Sequence, residues 1–198
     1  MKDNKTSQSA VLYDANVHKT IPRYHTFHDE TIELIRILRP APAAWLDTGC
    51  GTGTLIAKAA GCFPGTKFVA ADPSSAMLEQ AREKLAGLAV EYVEAGTEAF
   101  AVKNRFDVIT AIMSHHYLNF PERDTATKNC FDALNEGGVY VTFETRRPFS
   151  ERGTEVGLQR WRTHQLSNGK APEEVDKHIS RYGLELLPIS IDNHLELL

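Results

Sequence analysis

Trp45-Leu46-Asp47-Thr48-Gly49-Cys50-Gly51-Thr52-Gly53 is the stretch on which the fold of this chain turns. An apolar run ends in an acid, glycine then recurs at every second position, and an amphipathic stretch begins at Thr54. A strand that turns sharply into a helix needs glycine there. A side chain would forbid the tight turn or hold a ligand away from the backbone. Outward from this point, residues 43–145 alternate short apolar runs with amphipathic ones, the pattern of a parallel sheet covered by helices. The pattern predicts strands over 43–48, 67–72, 90–95, 106–113 and 139–145, the first, second and fourth being apolar on both faces as buried parallel strands are. Helices are predicted over 54–60, 75–86 and 125–135. The second carries Met77, Leu78, Ala81 and Leu85 on one face, with Ser74 or Ser75 as N-cap. Glu136-Gly137-Gly138 reads as the end of the third helix, glycine supplying a left-handed turn. The expected architecture is a doubly wound, Rossmann-like α/β sandwich of strand order 3-2-1-4-5, with helices on both faces.

Alternating glycines alone are a weak signal, and a plain strand–helix turn would also carry them. Two acids argue against that reading. Asp47 ends the first strand before the glycines, and Asp72 ends the second strand, where a carboxylate accepts hydrogen bonds from ribose hydroxyls. The rival is a dinucleotide site, but the spacing is G-x-G-x-G rather than G-x-G-x-x-G. An acid beside a pyrophosphate is repelled, whereas one beside the ammonium of a methionine moiety is attracted. Asp47 therefore points to S-adenosylmethionine.

On these residues the chain resembles the class I S-adenosylmethionine-dependent methyltransferases over about residues 43–145. The resemblance implies that Asp47, Gly49, Gly51 and Gly53 form the first cofactor motif. It implies that Asp72 holds the ribose, with Pro73 and Met77 flanking the adenosine. The adenine loop falls on Glu94-Ala95-Gly96-Thr97-Glu98. Gly96 stands where many members have aspartate, so the backbone of Gly96 and Thr97 or the side chain of Glu98 takes its place. The fourth motif falls on Thr110-Ala111-Ile112-Met113-Ser114-His115-His116, with the backbone at Ala111 facing the methionine portion. The flanks, Tyr13-Asp14, Ile21-Pro22-Arg23-Tyr24 and Arg181 before Leu184-Glu185, resemble the tRNA wobble-uridine branch that includes carboxy-S-adenosylmethionine synthase. There a tyrosine and an arginine near these positions engage the cofactor's added carboxylate. The glycine loop here keeps the ordinary methyltransferase form, so the flanks are read as shared architecture and not shared activity.

Other residues are weighed for roles near the site. His115 and His116 follow the fourth strand at its carboxyl edge, as general bases or as strand-end residues bonded to backbone. Tyr13, Tyr24 and His28 form a lid over the methionine end or merely pack their segment. Glu144, Arg146, Trp161 and Arg181 are the candidate substrate contacts, against surface ion pairs for the charged groups and a buried anchor for Trp161. No metal site is expected, because His25, His28 and Cys50 lack a third ligand by sequence.

The chain of 198 residues is read as one domain: a helical lid over 1–39, the core over 43–145 and a cap over 146–189 without strand–helix rhythm. Residues 1–9 read as a frayed polar tail in which Lys2 and Lys5 are solvated. Residues 190–198 read as a helix capped and begun, with further C-terminal strands expected to be missing. A net charge of -4 gives no basic footprint for nucleic acid, although it does not exclude it. Three scattered cysteines suit a cytoplasmic protein, no apolar run suits a membrane, and a homodimer is allowed. The expected activity is methyl transfer by direct displacement to a small-molecule acceptor, leaving S-adenosylhomocysteine. The alternatives are a tRNA-modifying or carboxy-S-adenosylmethionine-related enzyme, or a cofactor-binding protein without transfer.

Overall fold

The computed structural model describes residues 4–198, so Lys2 lies outside the described residues. Its helices are α1 (Ala10–Thr20), α2 (Tyr24–Leu38), α3 (Thr54–Cys62), α4 (Ser75–Lys84), α5 (Phe120–Ala133), α6 (Glu151–Ser167), α7 (Pro172–Ile179) and α8 (Ile191–Leu197). Its strands are β1 (Ala44–Thr48), β2 (Lys67–Ala71), β3 (Val90–Val93), β4 (Phe106–Ile112) and β5 (Leu134–Phe143). All pairings are parallel, and the sheet runs β3-β2-β1-β4-β5, the order expected.

The central strands are apolar on both faces because both faces are covered. Trp45, Val108 and Ala70 pack with Ile35, Ile56 and Leu78 of α2, α3 and α4. Leu46, Ile109 and Val69 pack on the other side with Cys130 and Ala133 of α5. Each fully buried Val, Leu or Ile among them is worth about 1.5–3 kcal/mol. Trp45 is wholly buried and places its indole N–H on Thr110 Oγ1 at 3.0 Å, so its one polar atom is satisfied.

Several boundaries differ from expectation. Helix α5 begins five residues earlier than predicted, because Asn119 and Glu122 form a reciprocal capping box with Pro121 in the first turn. It ends at Ala133, and Glu136-Gly137-Gly138 does not close it; these residues belong to β5. Gly137 has φ +67° within a break in register, Phe106 pairing with Leu134 but Val108 with Val139. The glycines therefore make a bulge in the strand. The N-terminal helical stretch is two helices, broken at Pro22 with Arg23 in the left-handed region at φ 58°.

The segment expected to be an irregular cap holds α6 and α7. Trp161 of α6 donates its indole N–H to Thr20 O of α1 at 2.7 Å, tying the C-terminal helices to the N-terminal ones. Nor are residues 4–9, the described part of the segment before α1, frayed. Asn4 Oδ1 accepts from Thr6 N at 2.7 Å, Thr6 Oγ1 donates to Gln8 O at 2.9 Å, and Arg181 donates to the Lys5 carbonyl, while the Lys5 side chain stays exposed. Helix α8 starts as read, with Ser190 Oγ accepting from Asn193 N, and buries His194. No helix among the described residues is long and apolar enough to cross a membrane.

Candidate cofactor and acceptor site

A cavity of about 390 Å³ opens where the carboxyl ends of β1, β2, β3 and β4 meet. Open parallel sheets bind ligands at this edge, where the order of strands reverses. The loop after β1 supplies its floor. Gly51, at φ +54°, has no heavy atom within 4 Å of where a Cβ would stand, so it presents bare backbone to open space. Its N–H donates to Asp72 Oδ2 at 2.9 Å, and Ser74 N donates to Oδ1 at 2.9 Å. Two backbone donors hold the carboxylate at the end of β2 and leave its remaining lone pairs to the cavity. Burial raises the Asp72 pKa, against the pull of those two N–H groups.

Asp47 is buried at the end of β1 and accepts from Thr110 Oγ1 at 2.7 Å. Burial raises its pKa to about 7, with the nearby Asp72 carboxylate adding to the rise. Tyr13 and Tyr24 face it across the cavity, their rings edge to face at 6.4 Å. Burial pushes both phenols above their ordinary range. His28 lines the same wall with an unpartnered, buried Nδ1; burial and then Lys58 lower its pKa to about 4.

Pro73, Met77, Gly96, Thr97 and Glu98 line the cavity as well. The Glu98 carboxylate folds over Gly96, its oxygens within 2.4–2.5 Å of where a Gly96 Cβ would stand. Its Oε2 is buried without a hydrogen-bond partner. Gly49 also lines the cavity, but Gly53 does not. At φ +77° Gly53 caps α3, and a Cβ there would stand 2.9 Å from Leu85 Cδ1, so its absent side chain serves the packing of α3 on α4. Ala111 is likewise buried inside β4 and absent from the lining, which on this side is formed by residues that follow it: Ile112, Met113, Ser114, His115, Tyr117 and Leu118.

His115 and His116 form a single 3-10 turn after β4 and diverge. His115 lines the large cavity, and His116 lines a neighbouring compartment of about 50 Å³. Burial lowers the His115 pKa to about 4, so its ring is neutral. His116 Nδ1 lies 3.0 Å from Glu144 Oε2. Burial alone would raise the Glu144 pKa, yet His116, with His115 and Arg123 nearby, lowers it to about 2.

Of the proposed substrate contacts, Trp161 lines only the small compartment, and Glu144, Arg146 and Arg181 line neither space. Arg147, Arg152, Arg160 and Arg162, the other arginines that could form a basic rim for a nucleic acid, are also absent from both linings, with Arg152 and Arg162 paired to Glu155 and Asp176. Among the described residues no group of three or more His, Cys, Asp or Glu could hold a metal ion.

Sequence reading missed Asn4, Thr6, Met113, Tyr117 and Thr145. The first two sat in an apparent tail. Met113 carried one signal visible only in three dimensions, a left-handed φ of 56° in a non-glycine residue at the cavity wall.

Residues 46–138 match a family model described as a methyltransferase domain. The chain is 28% identical over 146 residues to a carboxy-S-adenosyl-L-methionine synthase of Campylobacter curvus, covering 67% of this chain and 57% of that one. It is 22% identical over 195 residues to the Staphylococcus epidermidis synthase, covering 98% and 85%. A trans-aconitate 2-methyltransferase of Methylobacterium radiotolerans is 34% identical over 121 residues, 59% of this chain and 45% of the enzyme. Among solved structures, an S-adenosylmethionine-bound amino pentose methyltransferase of Micromonospora echinaspora superposes with a TM-score of 0.61 at 28% identity, covering 69% of this chain and 57% of that one. The chain thus spans little more than half the length of several of the proteins it matches. A plantazolicin methyltransferase, at TM-score 0.70 and 14% identity over 96% of this chain and 66% of its own, shares the fold.

Proposed function

We propose that this chain, whose residues 46–138 match a methyltransferase-domain model, is a class I S-adenosylmethionine-dependent methyltransferase that transfers a methyl group from S-adenosylmethionine to a small-molecule acceptor. The observation that carries this reading is the pair Asp47 and Asp72 set on either side of a bare Gly51 in one cavity. The residues fit the cofactor group by group. Asp47 would hold the ammonium, Asp72 the ribose hydroxyls, Pro73 and Met77 the adenosine, and the orphaned Glu98 oxygen the adenine amino group. When bound, S-adenosylmethionine supplies a sulfonium-activated methyl group for direct displacement. The protein's part is to align an acceptor with that methyl and to keep water out, for which Tyr13, Tyr24 and the segment before α1 provide the wall.

In this reading 1–39 is a lid, 146–189 a cap, and the protein acts in a reducing cytoplasm that suits its three free cysteines. Calorimetry with S-adenosylhomocysteine tests it: micromolar binding, weakened at least tenfold by Asp72→Ala, supports it, and no binding sinks it. A second reading, a carboxy-S-adenosylmethionine-related enzyme, is favoured by the length of the match to the Staphylococcus synthase. Mass spectrometry of the nucleoside carried through purification separates the two, since the carboxylated cofactor is 44 mass units heavier by roughly one CO2.

A further inference from the structure

The two histidines after β4 differ in what their ring nitrogens have left to give. His115 has both committed, Nε2 lying 3.1 Å from Thr97 Oγ1 and Nδ1 3.3 Å from Tyr140 Oη. Thr97 is in turn bonded to Thr48, so this ring belongs to a buried network that braces the cavity wall. His116 has one nitrogen committed, Nδ1 to Glu144 Oε2, while the other Glu144 oxygen accepts the His115 N–H at 2.9 Å. A carboxylate on Nδ1 fixes the proton there and leaves the Nε2 lone pair bare. That ring lines the small compartment.

The compartment has a definite chemistry. It adjoins the cofactor cavity, with Thr6, Tyr13, Met113 and Tyr117 lining both. Among the described residues its lining contains no Lys, Arg, Asp or Glu; aromatic rings, short hydroxyl side chains and the histidines His116 and His178 make up most of it. At 10–15 Å³ per water, 50 Å³ holds about four waters. A charged group entering would lose its hydration with no opposite charge in the lining to meet it, the Glu144 carboxylate being already engaged by His116.

Resting on the methyl-transfer reading, we propose that this compartment receives the acceptor's reacting head. That head is an uncharged group of about four to six non-hydrogen atoms bearing an O–H or N–H, and His116 takes its proton. A hydroxyl, or an N–H whose nitrogen lone pair is delocalised, must shed its proton as it reacts, so a base serves the site, and His116, held at Nδ1 by Glu144, is placed to be one. His116 Nε2 accepts that proton as the acceptor atom bonds to the methyl carbon, the C–S electron pair remaining on sulfur as a neutral thioether. The imidazolium so formed stands against Glu144, a positioning residue that acts only through His116.

The test uses the full chain saturated with S-adenosylhomocysteine, 15N-labelled at histidine and observed by NMR, with His116 assigned by the signal lost in His116→Gln. The Nδ1–H tautomer is expected for His116. Pyrazole, neutral and of five non-hydrogen atoms, should move its Nε2 resonance at millimolar concentration. Acetate and methylammonium, small but charged, should bind at least tenfold more weakly. If S-adenosylhomocysteine itself fails to bind, the methyl-transfer reading falls and this proposal with it. If it binds while pyrazole leaves His116 unmoved, or acetate binds as well as pyrazole, this proposal alone is overturned.

Discussion

Asp47 is a carboxylate placed where burial works against its own charge, and the pH behaviour of the site follows from that. Its folded pKa near 7 stands well above the value of about 4 in an unfolded chain. Between about pH 4 and pH 7 the ligand-free protein therefore holds a proton there that the unfolded chain has released. Stability from this group is present in full below about pH 4 and is lost as pH rises through 7. A cofactor ammonium reverses the preference, because it needs the ionised form. Affinity for S-adenosylhomocysteine should thus fall by up to tenfold per pH unit below 7 and level off above it. Calorimetry between pH 5.5 and 8 checks this, and Asp47→Asn should flatten the profile; a flat profile in the unaltered protein would refute the assignment. Asp72 has a different task, since it holds two loop N–H groups as well as facing the cavity. Asp72→Ala should cost about 1.5–3 kcal/mol of cofactor binding. Because it also frees Gly51 N and Ser74 N, a loss of thermal stability should accompany it, read by differential scanning calorimetry. Both acids were legible as a sequence motif, while the lone pairs each has left for a ligand became visible only with their partners in place.

At the scale of elements, the three glycines after β1 look equivalent in sequence and are not. Gly51 faces open space, whereas Gly53 lies under the Leu85 side chain between α3 and α4. Gly53→Ala combines a left-handed backbone penalty of about 1–2 kcal/mol with overpacking of about 1–3 kcal/mol. It should therefore unfold at markedly lower urea. Gly51→Ala carries the backbone penalty alone and should instead lose S-adenosylhomocysteine binding, since its methyl projects into the cavity. Equal urea midpoints for the two variants would contradict this division. The same local ambiguity explains the misplaced boundaries of α5 and β5. Glycine after a helical pattern is the ordinary sign of a C-cap, but the pairing of Phe106 with Leu134 starts the strand earlier and absorbs Gly137 as a bulge. The competing signal, Asn119 with Glu122, was present in the sequence as a capping box.

The sheet order was readable because it follows from the alternation of strands and helices, a property of the chain's sequence of elements. How the two ends of the chain meet over the sheet was not, because it rests on single contacts between distant residues. Trp161 reaches Thr20 O, His164 Nε2 lies 3.2 Å from His18 O, and Arg181 reaches the Lys5 carbonyl. These contacts join the N-terminal part of the chain to its C-terminal part, so the two should respond to a bound ligand together. The segment before α1 is the thinnest part of that cover. Asn4, Lys5 and Thr6 line the cofactor cavity, yet the segment's own bonds are mostly internal, and Gln8 reaches Glu174 only at 3.5 Å. Little of the core depends on it. Removing the first eight residues should therefore shift the melting temperature by no more than a few degrees while speeding S-adenosylhomocysteine release about tenfold, the equivalent of about 1.4 kcal/mol. Stopped-flow displacement measures the release rate directly. An unchanged rate would mean that the cavity is closed by Tyr13 and Tyr24 alone, and that the strap before α1 lies over the cofactor without holding it in.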